Sequence, residues 1–400
     1  MATMGAVLMP LMSAIKPRID DSGTDRLNYY YTSMVIFMCS LTITARQYVG
    51  SPLQCWVPAH FKKPWEQYAE NYCFVYNTYW VKPDDQVPDS EEERIAKQLI
   101  YYQWVPFIMA IEAIFFNFPA MFWSQMSSKS GLNIGNLVTT AQRAENEEEE
   151  KRKDNVKIIV SSINDSIKLQ SVRSEGQPFW MRLLKFGLLD GSYLANIYVV
   201  TKFLYVLNLI GQFWMMNKFL GQNDPYWGAR ILNDIMHGTD WELSGNFPRI
   251  AMCDFQIRVL GHMQRYSIQC VLSLNMFNEK IFLFLYWWFI IVLVFTILDM
   301  IDLWRKTRSA DTKKMIYVRR FIKMDEELAA LDFCRTKVTC DVIVLLMFIG
   351  AHASEVITTE ILSLMWTDYR DRNVPRAMTN ELFITGKTTP VTIEFDENKE

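Results

Sequence analysis

Apolar positions along this chain gather into four long runs separated by polar stretches. The longest, Ile281 to Leu298, reads IFLFLYWWFIIVLVFTIL, eighteen residues with no charge and one threonine. In helical form that length covers the hydrocarbon core of a bilayer, so the run predicts a transmembrane helix. Tyr29 to Val49, Trp104 to Trp123 and Tyr193 to Met216 are weaker versions of the same pattern, carrying Arg46, Glu112 and Lys202 respectively. Each of the three would also suit a buried core helix; beside the fourth run, the expectation is four spans. Asp341 to Gly350 (DVIVLLMFIG) is apolar but too short to cross, and predicts a buried helix of a water-facing part.

These runs divide the chain. The expected order is an amino-terminal segment 1–28, spans at 29–49, 104–123, 193–216 and 281–301, connecting loops 50–103, 124–192 and 217–280, a helical region 302–369 and a disordered polar tail 370–400. The uncharged start, Met1 to Met12, precedes Lys16, Arg18, Asp20 and Asp21. A signal peptide would place positive charge first, so the segment is not read as one.

Charge assigns the sides. Residues 1–28, 124–192 and 302–400 hold 28 of the 41 Lys and Arg residues, against 11 in residues 50–103 and 217–280. Basic residues are retained in the cytoplasm, which puts both termini and the middle loop there. Residues 145–153 (ENEEEEKRK) form an acidic block followed by a basic one, the pattern of a solvated helix. Mean hydropathy is near zero because polar loops dilute the spans, and a net charge of −3 excludes a basic nucleic-acid surface.

Cysteines agree with that assignment. Of seven, Cys55 and Cys73 fall in the first outside loop and Cys253 and Cys270 in the second, while Cys39, Cys334 and Cys340 lie in a span or inside. Paired thiols outside and an odd remainder inside suit a disulfide framework in an oxidising compartment. Three connectivities are open, and a bridge between the loops would lock the outer ends of all four spans together.

Inside the spans a few residues stand out. Ser33, Ser40, Thr44 and Gln47 share one helical face, which either lines water or packs on another helix. Arg46 reaches a pore vestibule or the headgroups. Glu112 and Lys202 are costly in a bilayer and are expected to find a partner, a cavity or a pore; a mutual ion pair is the specific expectation. Pro106 and Pro119 each remove a backbone donor within the second span, predicting a kink.

Several motifs then carry a resemblance. They are Tyr101-Tyr102-Gln103-Trp104-Val105-Pro106 at the second span, Cys55-Trp56-Val57-Pro58, the run from Phe247-Pro248-Arg249 to Cys253-Asp254-Phe255, and Leu274-Asn275 leading through Asn278-Glu279-Lys280-Ile281-Phe282 into the fourth span. From about Asp25 to about Trp366 the chain resembles the innexins, the gap-junction proteins of invertebrates; connexins would show three cysteines per loop rather than two. The resemblance implies an all-α membrane fold with four transmembrane helices, disulfide-stapled extracellular loops with some β structure, a helical cytoplasmic domain, and assembly into a ring, eightfold in the family.

It also implies roles. Identical or related innexin subunits complete the ring, a ring on the adjacent cell docks through the extracellular loops, and lipids surround the spans. The place is the plasma membrane at a gap junction. The amino-terminal segment, with Met1, Ala2, Thr3 and Met4, would fold back into the pore as its narrowest part, and Pro106 and Pro119 would serve gating.

No P-loop, dinucleotide-type glycine run, Cys-x-x-Cys or His-Glu-x-x-His is present, and the spacing of His60, His237, His262 and His352 makes no metal site. The expectation is a channel without cofactor rather than an enzyme. Two rivals are an undocked, pannexin-like large-pore hemichannel and a non-conducting polytopic adhesion or scaffold protein.

Overall fold

The computed structural model describes residues 17–76, 78–82, 85–174, 191–221, 224–237, 247–307, 311–324 and 327–384. In chain order the elements are α1 (Gly23–Arg26), a π-helical stretch (Leu27–Thr32), α2 (Ser33–Val49), β1 (Gln54–Trp56), α3 (Lys63–Tyr76), β2 (Thr78–Tyr79), α4 (Glu91–Ala96), β3 (Gln98–Leu99), α5 (Val105–Phe115), α6 (Phe118–Ser127), α7 (Ile134–Glu145), α8 (Glu149–Ser174), α9 (Tyr193–Phe219), α10 (Trp227–His237), β4 (Ile250–Val259), β5 (His262–Val271), α11 (Ser273–Thr307), α12 (Asp311–Arg319), α13 (Glu327–Thr336), α14 (Cys340–His352) and α15 (Glu355–Ile384). Among the described residues three helical stretches are long and apolar enough to cross a membrane: Val105–Ser130, Tyr193–Phe219 and Ser273–Thr307. The remaining expected span falls in the helical run from Gly23 to Val49, whose α-helical part α2 has 17 residues.

Two compact units contain these elements. The first comprises residues 17–126 and 197–303, the second residues 127–196 and 304–384. In the first, α2 runs antiparallel to α5, because Ser33 meets Ala113 while Ser40 meets Pro106. A five-stranded antiparallel sheet, ordered β1-β5-β4-β2-β3, is assembled from both loops that separate spans. Its centre is the hairpin β4–β5, in register from Ile250↔Val271 to Val259↔His262. The turn, Leu260–Gly261, has positive φ at both residues (51° and 88°), the two-residue geometry that follows strand twist.

Prolines shape the second span differently from the expected mid-helix kinks. Pro106 stands in the first turn of α5, where its missing N–H has no partner to lose, so it starts the helix. Pro119 lies just inside α6, after a break at Phe116–Asn117; it cannot donate to the carbonyl four residues back, and the helix restarts ahead of it. Asn117 covers the break, its Nδ2 donating to Ala113 O at 3.0 Å and to Ser33 Oγ at 3.1 Å.

The second unit is helical among its described residues. α14 is apolar on all sides, with Val342, Ile343, Val344, Leu345, Leu346, Phe348 and Ile349 buried, as a helix packed around its circumference must be. The polar tail expected to be disordered from residue 370 is helical to Ile384 as a continuation of α15. Elongating a packed helix needs no new nucleus, which lets a polar sequence follow it. Residues 385–400 lie outside the described residues.

Candidate functional site

Three arrangements in the first unit carry the candidate chemistry: a stapled outer layer, a packed polar stripe and a buried charge cluster. In the outer layer both disulfides join one loop to the other. Cys55 on β1 is bonded to Cys270 on the facing strand β5, and Cys73 on α3 to Cys253 on β4. The register Cys55↔Cys270 and the packing of α3 across β4 decide that choice among the three connectivities. The Sγ atoms of Cys55, Cys73 and Cys270 lie within 4.8 Å of one another, but sulfurs already in disulfides offer no thiolate to a metal.

Rings fill the space around the staples. Phe61 packs edge-on against Trp65, Phe255 and Tyr266, and Tyr72 stacks on Tyr76 with centroids 4.4 Å apart. Asp254 ties the strands together: Ser267 Oγ donates to it at 2.6 Å, Arg94 Nη1 at 2.6 Å, Arg265 Nη2 at 3.2 Å and the Tyr79 hydroxyl at 3.2 Å. Burial works against its charge, yet the Ser267 hydroxyl and the Arg94 and Arg265 guanidiniums outweigh it and hold the carboxyl below its usual value.

The polar stripe of the first span is turned toward the second. Ser33 Oγ donates to Ala113 O at 2.7 Å and Ser40 Oγ to Pro106 O at 2.8 Å, both serines buried. Thr44 Oγ1 donates back to Ser40 O, and Gln47 is buried further along the same face. At the break, Asn117 N bonds to Ile114 O, so the Ala113 carbonyl is left to Ser33 Oγ and Asn117 Nδ2, while Ser40 Oγ adds a bond to the Pro106 carbonyl. The open face of α2 presents Met38, Thr42, Ala45 and Arg46 instead, with the Arg46 guanidinium 5.1 Å from the Phe277 ring centre. Met1, Ala2, Thr3 and Met4 lie outside the described residues.

The third arrangement corrects an expectation. Lys202 does not pair with Glu112. Its Nζ lies 2.7 Å from Asp25 Oδ1, 2.7 Å from Ser22 Oγ and in contact with Asp299 Oδ2. Tyr198 Oη donates to Asp25 Oδ2 at 2.7 Å, and Ser22 Oγ lies 3.0 Å from Asp299 Oδ2. Lys202 is wholly buried, so two carboxylates and the Ser22 hydroxyl replace the water it gave up. Lys202 and Tyr198 are one helical turn apart on α9, which brings both to Asp25.

This cluster grips the stretch that leads into α1. Ser22 and Asp25 form a capping box at the helix start. Next to it Tyr29 Oη donates to Asp21 Oδ2 at 2.6 Å, Arg26 Nε to Asp21 Oδ1 at 3.0 Å, and Trp123 Nε1 to Asp20 O at 2.9 Å. Further on, Asn28 Nδ2 donates to Thr296 Oγ1 at 2.9 Å and Trp288 Nε1 to Thr32 Oγ1 at 3.0 Å, both partners bridging to α11. Sequence reading missed Asp25, Asp299, Ser22 and Tyr198. The Ser22-x-x-Asp25 spacing marks a helix start, but nothing local shows that its carboxylate also meets Lys202.

Comparison with known proteins bears on the same residues. The family model described as Innexin matches residues 21–369. Innexin eat-5 of Caenorhabditis elegans is 54% identical over 388 residues, covering 92% of this chain and 91% of that protein. Innexin unc-9 of the same species is 35% identical over 92% of this chain and 98% of its own length, and Innexin-19 of Caenorhabditis briggsae 35% identical over 90% and 89%.

Proposed function

Because the chain belongs to the innexin family, we propose that it works as a gap-junction channel subunit, passing ions and small molecules between adjacent cells without chemistry of its own. It assembles with other innexin subunits in the membrane. Eight copies, identical or mixed with related subunits, surround one aqueous pore.

The observation that carries the reading is the pair of loop-to-loop disulfides. Disulfides persist in oxidising compartments, which supports residues 50–103 and 217–280 outside the cell and 1–28, 124–192 and 302–400 within it, the same division as the basic residues. Four crossings follow, with the helical run through α2 as the first. A sheet built from both loops gives a docking ring a rigid face.

The pore reading draws on the amino-terminal half. The anchor at Asp20, Asp21 and Asp25 fixes where the chain enters the first span. The Ser33, Ser40, Thr44 and Gln47 stripe serves mainly to hold α2 on α5, and Met38, Thr42 and Ala45 on the open face of α2 line the water with Arg46 at the outer mouth. Size selection then outweighs charge selection along most of the path. Pro119, at the break beside Asn117 and Ser33, is the gating candidate, with Pro106 fixing where the helix begins.

Recording from single cells and from contacting pairs tests this. Current between partners is the expected result. Current confined to single cells would assign an undocked hemichannel, and protein at the surface without current of either kind would assign an adhesion role.

A further inference from the structure

Asp341 has no part in the channel reading, yet its position is unusual. It lies in the first turn of α14, only 1% exposed, and α14 does not need it: Thr339 is the N-cap, its side chain accepting from Val342 N. The carboxylate caps another helix. Its Oδ1 accepts from Ala195 N at 3.1 Å in the first turn of α9, while Asp341 N donates to Gly191 O at 3.0 Å just before that turn. Oδ2 is buried with no hydrogen-bond partner among the described residues.

A carboxylate with one capped and one bare buried oxygen is poorly compensated when ionised, and the bare oxygen is where a proton would sit. Among the described residues no charged side chain offsets it. The faces that α7 and α15 turn inward are apolar, with Leu137, Val138 and Ala141 on one and Ile357, Ile361 and Leu362 on the other. Arg143, Glu145 and Glu355 on those helices are exposed, and Glu360 is paired with Arg152. The titratable neighbours are the Tyr193 phenol on the capped turn and the Cys340 thiol, which donates to Thr307 O. His352 stands at the far end of α14.

We propose that Asp341 is a proton-operated clasp, through which the pH around α14 sets how firmly α14 holds the start of α9, one of the three helices of membrane-crossing length. Burial pushes this carboxyl up from 3.8 to about 7, against the N–H groups of Ala195, Leu194 and Tyr193, which pull it down. The sign follows from linkage. A clasped carboxyl binds its proton more tightly than a released, hydrated one, so acid favours the clasped state and alkali loosens it. With the values 3.8 and about 7, the full effect on the clasping equilibrium is bounded at about a thousandfold, a factor of ten per pKa unit. The clasp needs no assumption about the pore.

Hydrogen exchange on the purified full-length protein tests the clasp without recording current. After correction for intrinsic rates, protection of amides 194, 196 and 197 should fall at least tenfold as pH rises from 5.5 to 8.5, with a midpoint near neutrality. Asp341→Asn, which holds the cap but cannot ionise, should stay protected throughout. Pro at 195 removes the N–H that favours the ionised form, so Ala195→Pro, with Asp341 retained, should move the step to higher pH and keeps the test decisive if the Asn variant does not fold. Wild-type protection that ignores pH, a step that persists in Asp341→Asn, or an unmoved step in Ala195→Pro would each overturn the proposal. Absence of coupling between cells would bear on the channel reading alone.

Discussion

The Lys202 ammonium sits 2.7 Å from the Asp25 carboxylate, joining α9 to the stretch that precedes the first span. Two carboxylates answer one ammonium in a buried place, and breaking such a group by removing one member leaves an uncompensated charge, at a cost of about 3–5 kcal/mol. Lys202→Gln is therefore expected to lower thermal stability and surface delivery sharply. Adding Asp299→Asn should recover part of the loss, whereas adding Glu112→Gln should recover none. A size-exclusion profile and melting curve for the three proteins check this, and equal rescue by both second changes would refute the assignment.

Staples joining distant segments act mainly on the unfolded chain. Cys55 and Cys270 are 215 residues apart, and Cys73 and Cys253 180, so each bridge stands at the upper end of the usual range, about 4–5 kcal/mol. Cys55→Ser and Cys270→Ser should be about equally damaging, and the double change no worse than either. Cys55→Ser with Cys73→Ser removes both bridges and should approach the sum. Melting temperatures under non-reducing conditions decide it; a double Cys55/Cys270 variant much worse than its parents would break the connectivity.

Gly228 on α10 is a packing glycine. A Cβ there would stand 2.6 Å from the Tyr286 ring, a flat group held by its neighbours Trp227 and Phe213 and by its hydroxyl donating to Pro225 O. Gly228→Ala should destabilise by about 1–3 kcal/mol, the usual cost of overpacking. Gly228→Ala combined with Tyr286→Leu, which opens the space, should lose less than the two changes summed, as read by thermal denaturation.

Acid should spare the outer layer until low pH. The Asp254 carboxyl is held below its unfolded value, so its contribution is fully present above about pH 4 and is lost as pH falls through the lower folded value. Asp254→Asn should flatten that loss below pH 4 while lowering stability at neutrality. Denaturation midpoints at pH 3 and pH 7 for both proteins measure it; an identical acid slope in the variant would show that Asp254 is not responsible.

Much of the architecture was legible because it depends on local composition. A run such as Ile281 to Leu298 has only one stable environment, and thiol placement and basic residues depend on compartment rather than on packing. The second span was harder: Pro106 and Pro119 announce disturbed helix bonding, but whether a proline starts, breaks or bends a helix depends on which neighbouring groups take up the freed carbonyls. At the break before Pro119, Asn117 and Ser33 take up the Ala113 carbonyl. Lys202 announces its need for a partner, but Asp25 and Asp299 lie outside or at the margins of the apolar runs, so the sequence offers Glu112 instead.

By itself, then, the sequence determined the hydrophobic segments, their order, the sides suggested by charge and thiols, and the family, since each depends on residues close together in the chain or on transfer between solvents. Tertiary structure alone decided which cysteine meets which, which carboxylates hold Lys202, what the stripe on the first helix faces, and that Asp341 caps a helix 146 residues away. Those are pairings between distant segments, and a pairing is selected by the whole fold, through burial and the need to satisfy every polar group taken out of water.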